Sequence, residues 1–450
     1  EARDTIGGTW DLFRYPGIRS DSDMFTLGYP FRPWRDGKAI ADGPAILNYI
    51  RDTAREHGID QKIRYQHRVV GASWSSSAAR WTVDAVHGPE QTTVRFVCRF
   101  LYLCAGYYDY EEGYLPQFPG IERFRGQVVH PQKWTDDVDY AGKQIVVIGS
   151  GATAVTLVPE LAKKAAHVVM LQRSPTYIVS LPGQDVIAAS LGRVLPRKLA
   201  FRLARWKNVM QSMWFYLLCR RAPSLAKWLI RRGVQRELGR DFDMRHFTPP
   251  YNPWDQRLCI VPDADLFRSI KAGRASVVTD QIDTITETGI KLKSGTELPA
   301  DMIITATGLK LKLMGGLQFE IDGRRVQASD HKVYKGMMLS DVPNLAFVIG
   351  YTNASWTLKA DLVNRYVCRL MNHMDRHGYE VCMPRVHGKL GEAPLLDLTS
   401  GYVQRSLAEL PKQGNRAPWK LYQNYLLDLV TLRLGTVTDS MHFVRAKPTP

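Results

Sequence analysis

The residues best suited to chemistry cluster first around Gly149. In KQIVVIGSGATAVTLVPELAKKAAHVVMLQRSP, from Lys143 to Pro175, the run Gly149-Ser150-Gly151-Ala152-Thr153-Ala154 satisfies the GxGxx(G/A) spacing. In such a turn the first glycine makes the tight bend and the second lets backbone N–H groups approach a pyrophosphate. The third small residue lets helix and strand pack closely, and the helix N-terminus supplies positive potential for the phosphate. About twenty residues further on, a site selective for NAD places Asp or Glu against the ribose 2′-hydroxyl. Here that position falls in Gln172-Arg173-Ser174. An arginine suits a 2′-phosphate, so the spacing points to NADPH; the alternative reading of Arg173 is a surface residue that merely follows a strand.

The elements needed to position this turn are legible around it. Ile145 to Ile148 form a continuous apolar run suited to a buried parallel strand. A helical pattern follows from Ala152 to about Ala165, and HVVML supplies the next strand, completing a βαβ unit. Two further apolar runs, FLYLCAGYY (Phe100 to Tyr108) and DMIITATGL (Asp301 to Leu309), end on glycine, where a chain must pass close to another backbone or a cofactor. Together they imply two nucleotide-binding domains. A third run, NLAFVIGYTNASWTLKADL, ends at Gly350 and enters a helix near Asn353 or Ser355. The positive end of that helix either faces a flavin's electron-rich edge or simply closes a strand-to-helix connection.

Composition narrows the remaining classes. With 450 residues the chain has room for two or three domains and a substantial core. Its net charge of +16 is concentrated: between Val186 and Arg236 there is no Asp or Glu, while Arg and Lys recur among Trp206, Met210, Met213, Trp214, Phe215 and Leu217. This pattern predicts amphipathic helices that either lie on an anionic membrane or pack on their own domain or another subunit. No recognisable nucleic-acid-binding module accompanies the charge, so a nucleic-acid partner is not expected. Cys98, Cys104, Cys219, Cys259, Cys368 and Cys382 lack CxxC or Cys/His ligand spacing. That argues against zinc, iron–sulfur and dithiol redox chemistry, predicts no metal site, and suggests reduced, mostly buried thiols. Neither an apolar run of about eighteen residues nor a signal-peptide pattern occurs, so a cytoplasmic protein is expected.

Between the nucleotide signals, FRGQVVHPQKW places Phe124, Gly126, His130 and Trp134 in the fixed positions of FxGxxxHxxx(W/D). This resembles the fingerprint of Baeyer–Villiger monooxygenases, and it stands immediately before the βαβ unit, as in that family. GGTWDLFRYPGIRSDSDMFTLGY is similar to the family's flavin-lining segment, and YNPWDQRL to its active-site loop. The likeness spans essentially the whole chain and is nearest an actinobacterial branch of the family.

The resemblance implies an α/β fold with two Rossmann-like dinucleotide-binding domains, for FAD and NADPH. The FAD domain would be split between residues 1–140 and 321–450. The NADPH domain would occupy 141–320, with a helical insertion at about 186–246. Glu1 would hold the FAD adenine ribose, Val69 the adenine end, and Gly7, Gly8, Thr9 and Trp10 the flavin. Arg19, Ser20 and Asp21 would line the same cofactor, and Asp21 would tune Arg257, the catalytic cation. His130 would couple the nucleotide domains rather than transfer protons. Gln256 stands where some relatives carry a lysine that contacts the NADPH phosphate. A first FAD βα unit is expected before Glu1, and its absence predicts poor FAD retention. The implied reaction turns a ketone into an ester with O2, through a flavin C4a-peroxide, with S-oxygenation of thioethers or thioamides beside it. The other readings are an N- or S-oxygenating flavin monooxygenase and an inactive fragment or basic peripheral-membrane protein; an oligomer remains open.

Overall fold

The computed structural model describes residues 1–445. The chain forms two compact units that interleave along the sequence. Glu1–Ile6, Arg55–Asp109 and the residues from Leu311 onward make the first; Gly7–Ala54 and Tyr110–Lys310 make the second.

In the second unit the apolar run before Gly149 becomes the middle strand of a five-stranded parallel sheet. Its strands are β1 (Gln127–Val129), β2 (Gln144–Ile148), β3 (His167–Gln172), β4 (Ala275–Thr279) and β5 (Met302–Thr305), in the order β4-β3-β2-β5-β1. Alternate residues of a strand face opposite sides of a sheet, and both sides of β2 are covered, which explains why it is apolar from Ile145 to Ile148. Ile145 and Val147 join a core with Leu157 and Leu161 of α1 (Ala152–Leu161). Val146 and Ile148 face the other way, onto Ile285, Ile290 and Leu292 of an antiparallel three-stranded sheet. Each such fully buried aliphatic side chain contributes about 1.5–3 kcal/mol. α1 stops before the expected Ala165. Pro159 offers no N–H, and the Lys164 carbonyl accepts the N–H of Gly142, so residues 163–165 form the turn that feeds β3.

The helical insertion consists of α2 (Val186–Val194), α3 (Arg197–Arg221) and α4 (Pro223–Leu238), followed by a short 3-10 turn at Met244–Phe247. Arg205 of α3 is buried, and its Nη1 donates to the carbonyls of Phe25 (2.6 Å) and Gly28 (2.8 Å). A cation there satisfies carbonyls that the short Met24–Leu27 helix leaves open at its C-terminus.

The first unit contains an antiparallel meander of His67–Ser75, Arg80–His87 and Thr92–Cys98, with Phe319–Ile321 added parallel to its first strand. Leu101–Leu103 pairs in parallel with Leu345–Phe347, and the chain then passes Gly350 into the helix Trp356–His377. The strands at 101–103 and 302–305 are shorter than their apolar runs because Gly106 (φ +69°) and Gly308 (φ +108°) bend the chain away. Gly350 has no room for a side chain: a Cβ would lie 2.2 Å from the Trp356 ring, which stacks on Tyr107 at 4.7 Å. All six cysteines are free, but only Cys219, Cys259 and Cys382 are buried. Cys104 leaves its strand for a loop and Cys368 lies on the outer face of the long helix, so both are exposed, against the expectation of mostly buried thiols.

Candidate functional site

Three segments distant in sequence converge in the second unit. The first is the turn between β2 and α1. Gly149 adopts φ +131°, and a Cβ there would lie 2.3 Å from the Ala306 carbonyl oxygen, so only glycine fits. Gly151 caps α1 without a side-chain hydrogen bond, and a Cβ on it would enter open space. The first-turn N–H groups at Ala152 and Thr153 therefore stand beside room for a phosphate, while Ala154 is fully buried against the sheet. Ser150 is tied down by the Thr176 hydroxyl at 2.8 Å and the Ser174 carbonyl at 3.2 Å. These residues fit a dinucleotide pyrophosphate.

At the end of β3 the two sequence candidates part. Gln172 is 2% exposed and its amide donates to the His246 carbonyl (2.7 Å) and Thr279 Oγ1 (2.9 Å), which commits it to packing. Arg173 is exposed, and no ion pair involves it among the described residues. Arg173 is thus the cation at this strand end that remains available to a 2′-phosphate.

The second segment is residues 15–21. The Tyr15 phenol hydrogen-bonds the Thr153 side chain, and burial pushes its pKa up to about 12. Gly17 (φ +77°) lets the turn lie against α1, where a Cβ would meet Glu160 Cβ at 3.0 Å and the Thr156 carbonyl at 3.1 Å. Arg19, Ser20 and Asp21 then meet different fates. Arg19 forms a two-point ion pair with Asp265, and Ser20 is buried with its N–H on the Ala41 carbonyl. Asp21 reaches Arg257, Oδ2 to Nη2, at 2.6 Å.

The third segment is the loop 251–258. Asp255 accepts the Asn252 N–H (3.0 Å) and pairs with Arg220 of α3 (3.1 Å), and Trp254 turns the chain at φ +71°. Leu258 and Cys259 are buried, so Arg257 projects from a loop anchored on both sides. Burial pushes the Cys259 thiol up to about 12, and its Sγ approaches the Ser150 carbonyl at 4.0 Å, joining this segment to the glycine turn.

The remaining candidates divide between the units. Glu1 and Val69, in the first unit, line one cleft of about 370 Å³ with Ile63, His67 and Phe96. An open apolar cleft with a carboxylate at its edge fits the adenosine end of FAD. Gly7, Gly8, Thr9 and Trp10 lie in the second unit. Gly7 (φ +128°) would place a Cβ 2.3 Å from Leu47, Thr9 Oγ1 lies 3.1 Å from the Tyr110 hydroxyl, and Trp10 packs against the core cluster that contains Met24, Trp34 and Tyr49.

The FxGxxxHxxxW residues form the edge strand β1 and its two turns. Gly126 has no room for a Cβ, which would lie 2.3 Å from the Asp301 carbonyl, while Phe124 and Trp134 pack on opposite cores. His130 lies against Gly113, where a Cβ would be 2.0 Å from the ring, and its Nδ1 accepts the Gln132 N–H at 3.2 Å. Burial lowers the His130 pKa from 6.5, the Gly308 backbone opposing this. A half-buried histidine held toward its neutral form resists protonation that the unfolded chain accepts, so folding stability should fall as pH drops below about 6.5. Urea titrations at pH 7.5 and 5.5 should show a smaller acid-induced loss for His130→Asn than for the wild type. An unchanged loss would mean that His130 is no part of it.

Sequence reasoning missed Asp265, Tyr15, Tyr110 and the Arg220–Asp255 pair. Tyr15 and Asp255 lie in the segments that carry the resemblance but had no role assigned there, and all of these residues act through contacts with residues distant in sequence.

Residues 39–376 match the model of the FMO-like family, flavin-binding monooxygenase-like. The FAD-containing monooxygenase EthA of Mycobacterium tuberculosis is 55% identical over 100% of this chain and 92% of its own length. The probable FAD-binding monooxygenase AlmA of Acinetobacter baylyi is 46% identical over 98% of this chain and 90% of its own. Among solved structures, an oxidized steroid monooxygenase bound to NADP superposes with a TM-score of 0.75 at 22% identity, covering 99% of this chain and 94% of its own. Cyclohexanone monooxygenase from Rhodococcus sp. Phi1, bound to NADP+, reaches 0.71 at 16% identity, covering 99% and 94%. The fold is thus that of enzymes with two dinucleotide-binding domains, and the chain belongs to the flavin-binding monooxygenase-like family.

Proposed function

We propose that this flavin-binding monooxygenase uses FAD and NADPH to convert a ketone into an ester, the Baeyer–Villiger reaction. The observation that carries this reading is the 2.6 Å Asp21–Arg257 ion pair, which joins two loops to the dinucleotide-binding turn of the same unit. When bound, FAD and NADPH would supply the reducing equivalents and the activation of O2. The protein's part is to hold them and to stabilise charge. Ala152 and Thr153 offer N–H groups to the NADPH pyrophosphate, and Arg173 offers a guanidinium to its 2′-phosphate. Glu1 and Val69 hold the adenosine end of FAD. Arg257 places a permanent positive charge where the substrate carbonyl oxygen becomes an oxyanion, and its planar fork keeps orientation under the grip of Asp21.

The test is the full gene product, supplied with FAD, NADPH and an aliphatic ketone, with product followed by mass. Ester formation supports the reading; sulfoxide from a thioether with no ester from any ketone overturns it in favour of heteroatom oxygenation. Arg173→Ala should raise the KM for NADPH about ten- to hundredfold, the worth of a charged hydrogen bond, while leaving kcat and the KM for NADH in place. An unchanged KM for NADPH would return Arg173 to the surface role.

A further inference from the structure

The outward face of the helical insertion is apolar and basic at once. Along α3, Leu199, Leu203, Trp206, Met210, Trp214 and Leu217 recur at the three- and four-residue spacing of one helix face. All six are exposed, from 38% for Leu217 to 63% for Trp214. The opposite face, with Phe201, Ala204, Asn208 and Val209, is already buried in the unit. Neighbouring helices extend the patch: Val186 and Val194 of α2 are 71% and 83% exposed, and Trp228 of α4 is 52% exposed.

The charges around this patch decide what covers it. Lys198 and Arg202 border the α3 stripe, and Arg221 closes its C-terminal end, all three exposed. With Arg193 and Arg197 they make no ion pair among the described residues. No carboxylate occurs between Val186 and Arg236 to receive them. A second copy of the chain docked face to face would set cations against cations, at a cost of several kcal/mol. No helix among the described residues is long and apolar enough to cross a membrane. A sheet of anionic headgroups above hydrocarbon matches both features: it accepts the cations and receives the apolar stripe.

We propose that this face docks on an anionic lipid bilayer, with α3 lying in the membrane plane. Basic side chains meet the lipid phosphates, Trp206, Trp214 and Trp228 sit at headgroup level, and the aliphatic side chains enter the acyl boundary. α3 also grips the loop that carries Arg257, through Arg220–Asp255 (3.1 Å) and the edge of Tyr216 on Trp254 (5.6 Å). Docking therefore brings that loop beside the apolar phase.

The experiment is sedimentation of the FAD-loaded full gene product with vesicles of phosphatidylcholine alone or mixed with phosphatidylglycerol. Binding is expected only with phosphatidylglycerol present and should weaken at about 1 M salt, where the Debye length is about 3 Å. Replacing Lys198 and Arg202 by glutamine should weaken binding roughly thirtyfold, at about 1 kcal/mol per basic residue near the surface. Trp214→Ser should weaken it without changing charge, with FAD content as the control for folding. Should the variants fold poorly, quenching of wild-type tryptophan fluorescence by brominated lipid reads the same contact. Absence of sedimentation and of quenching with phosphatidylglycerol vesicles overturns the proposal. So does a loss of oligomer mass in Trp214→Ser when the wild type ignores vesicles, which would make the face a subunit interface.

Discussion

Replacing Arg257 by alanine is expected to lower kcat for ester formation about 10²- to 10³-fold, the usual cost of removing one donor aimed at a developing oxyanion. The effect should fall on kcat rather than on the KM for ketone, because the charge it stabilises is absent from the ground state. Arg257→Lys should recover only part of the loss. A lysine keeps the charge but not the planar fork that the 2.6 Å contact with Asp21 orients. Asp21→Asn should cost about tenfold, since the pair is partly exposed and the guanidinium stays charged without its partner. Steady-state kinetics with ester quantified by mass decide the matter. An alanine variant that makes ester at the wild-type rate would remove Arg257 from the reaction.

Asp428→Ala is expected to destabilise the protein by about 3–5 kcal/mol, because it strands a buried ammonium. Lys359, in the first turn of the Trp356–His377 helix, holds Asp428 at 2.8 Å, and the Tyr351 hydroxyl donates to the same carboxylate oxygen at 2.6 Å. The side chains of Lys359 and Asp428 are 5% and 8% exposed. Burial lowers the Lys359 pKa and Asp428 opposes that fall. With the carboxylate gone, the folded state favours neutral Lys359 while the unfolded chain stays protonated to about pH 10.4. The unfolded state then binds more protons, so the variant's deficit should shrink as pH rises from 7 toward 9. Urea unfolding at the two pH values measures this. A double replacement, Lys359→Met with Asp428→Leu, should restore most of the stability because it leaves no charge unpaired. A deficit below about 1 kcal/mol in Asp428→Ala would show that water reaches this pair and that it does not anchor the helix.

Features governed by local periodicity were legible along the chain. The all-apolar run at Ile145–Ile148, the glycines after it and the strand at HVVML specify a βαβ turn, since a parallel strand covered on both faces has no polar side to show. The acid-free basic stretch with its apolar repeat specified helices, and α2, α3 and α4 occupy it. The fixed glycine of the fingerprint was equally readable, because Gly126 sits where a Cβ would strike the Asp301 carbonyl. The limits of the elements were less so. α1 ends at Leu161 and the strand at Leu101 stops at Leu103, because a turn or a bent glycine overrode the apolar pattern that continued past them.

Pairings were decided by the tertiary structure alone. Arg19 and Asp21 differ by two positions, yet one meets Asp265 and the other Arg257, partners more than two hundred residues away. The chain bends at Asp21, just past the bridged Arg19, and composition holds no record of that. Gln172 and Arg173 part because adjacent side chains at a strand end leave opposite sides of the backbone, one turned into the sheet and the other into solvent. Lys359 and Asp428 carried no motif at all, and their value comes wholly from burial. By itself, then, the sequence determined the nucleotide turn, the fingerprint and the basic amphipathic helices, because each depends on spacing within a few turns of chain. Only the folded chain decided which charges face one another, because an ion pair is set by the path of the backbone through space and by the water that path excludes.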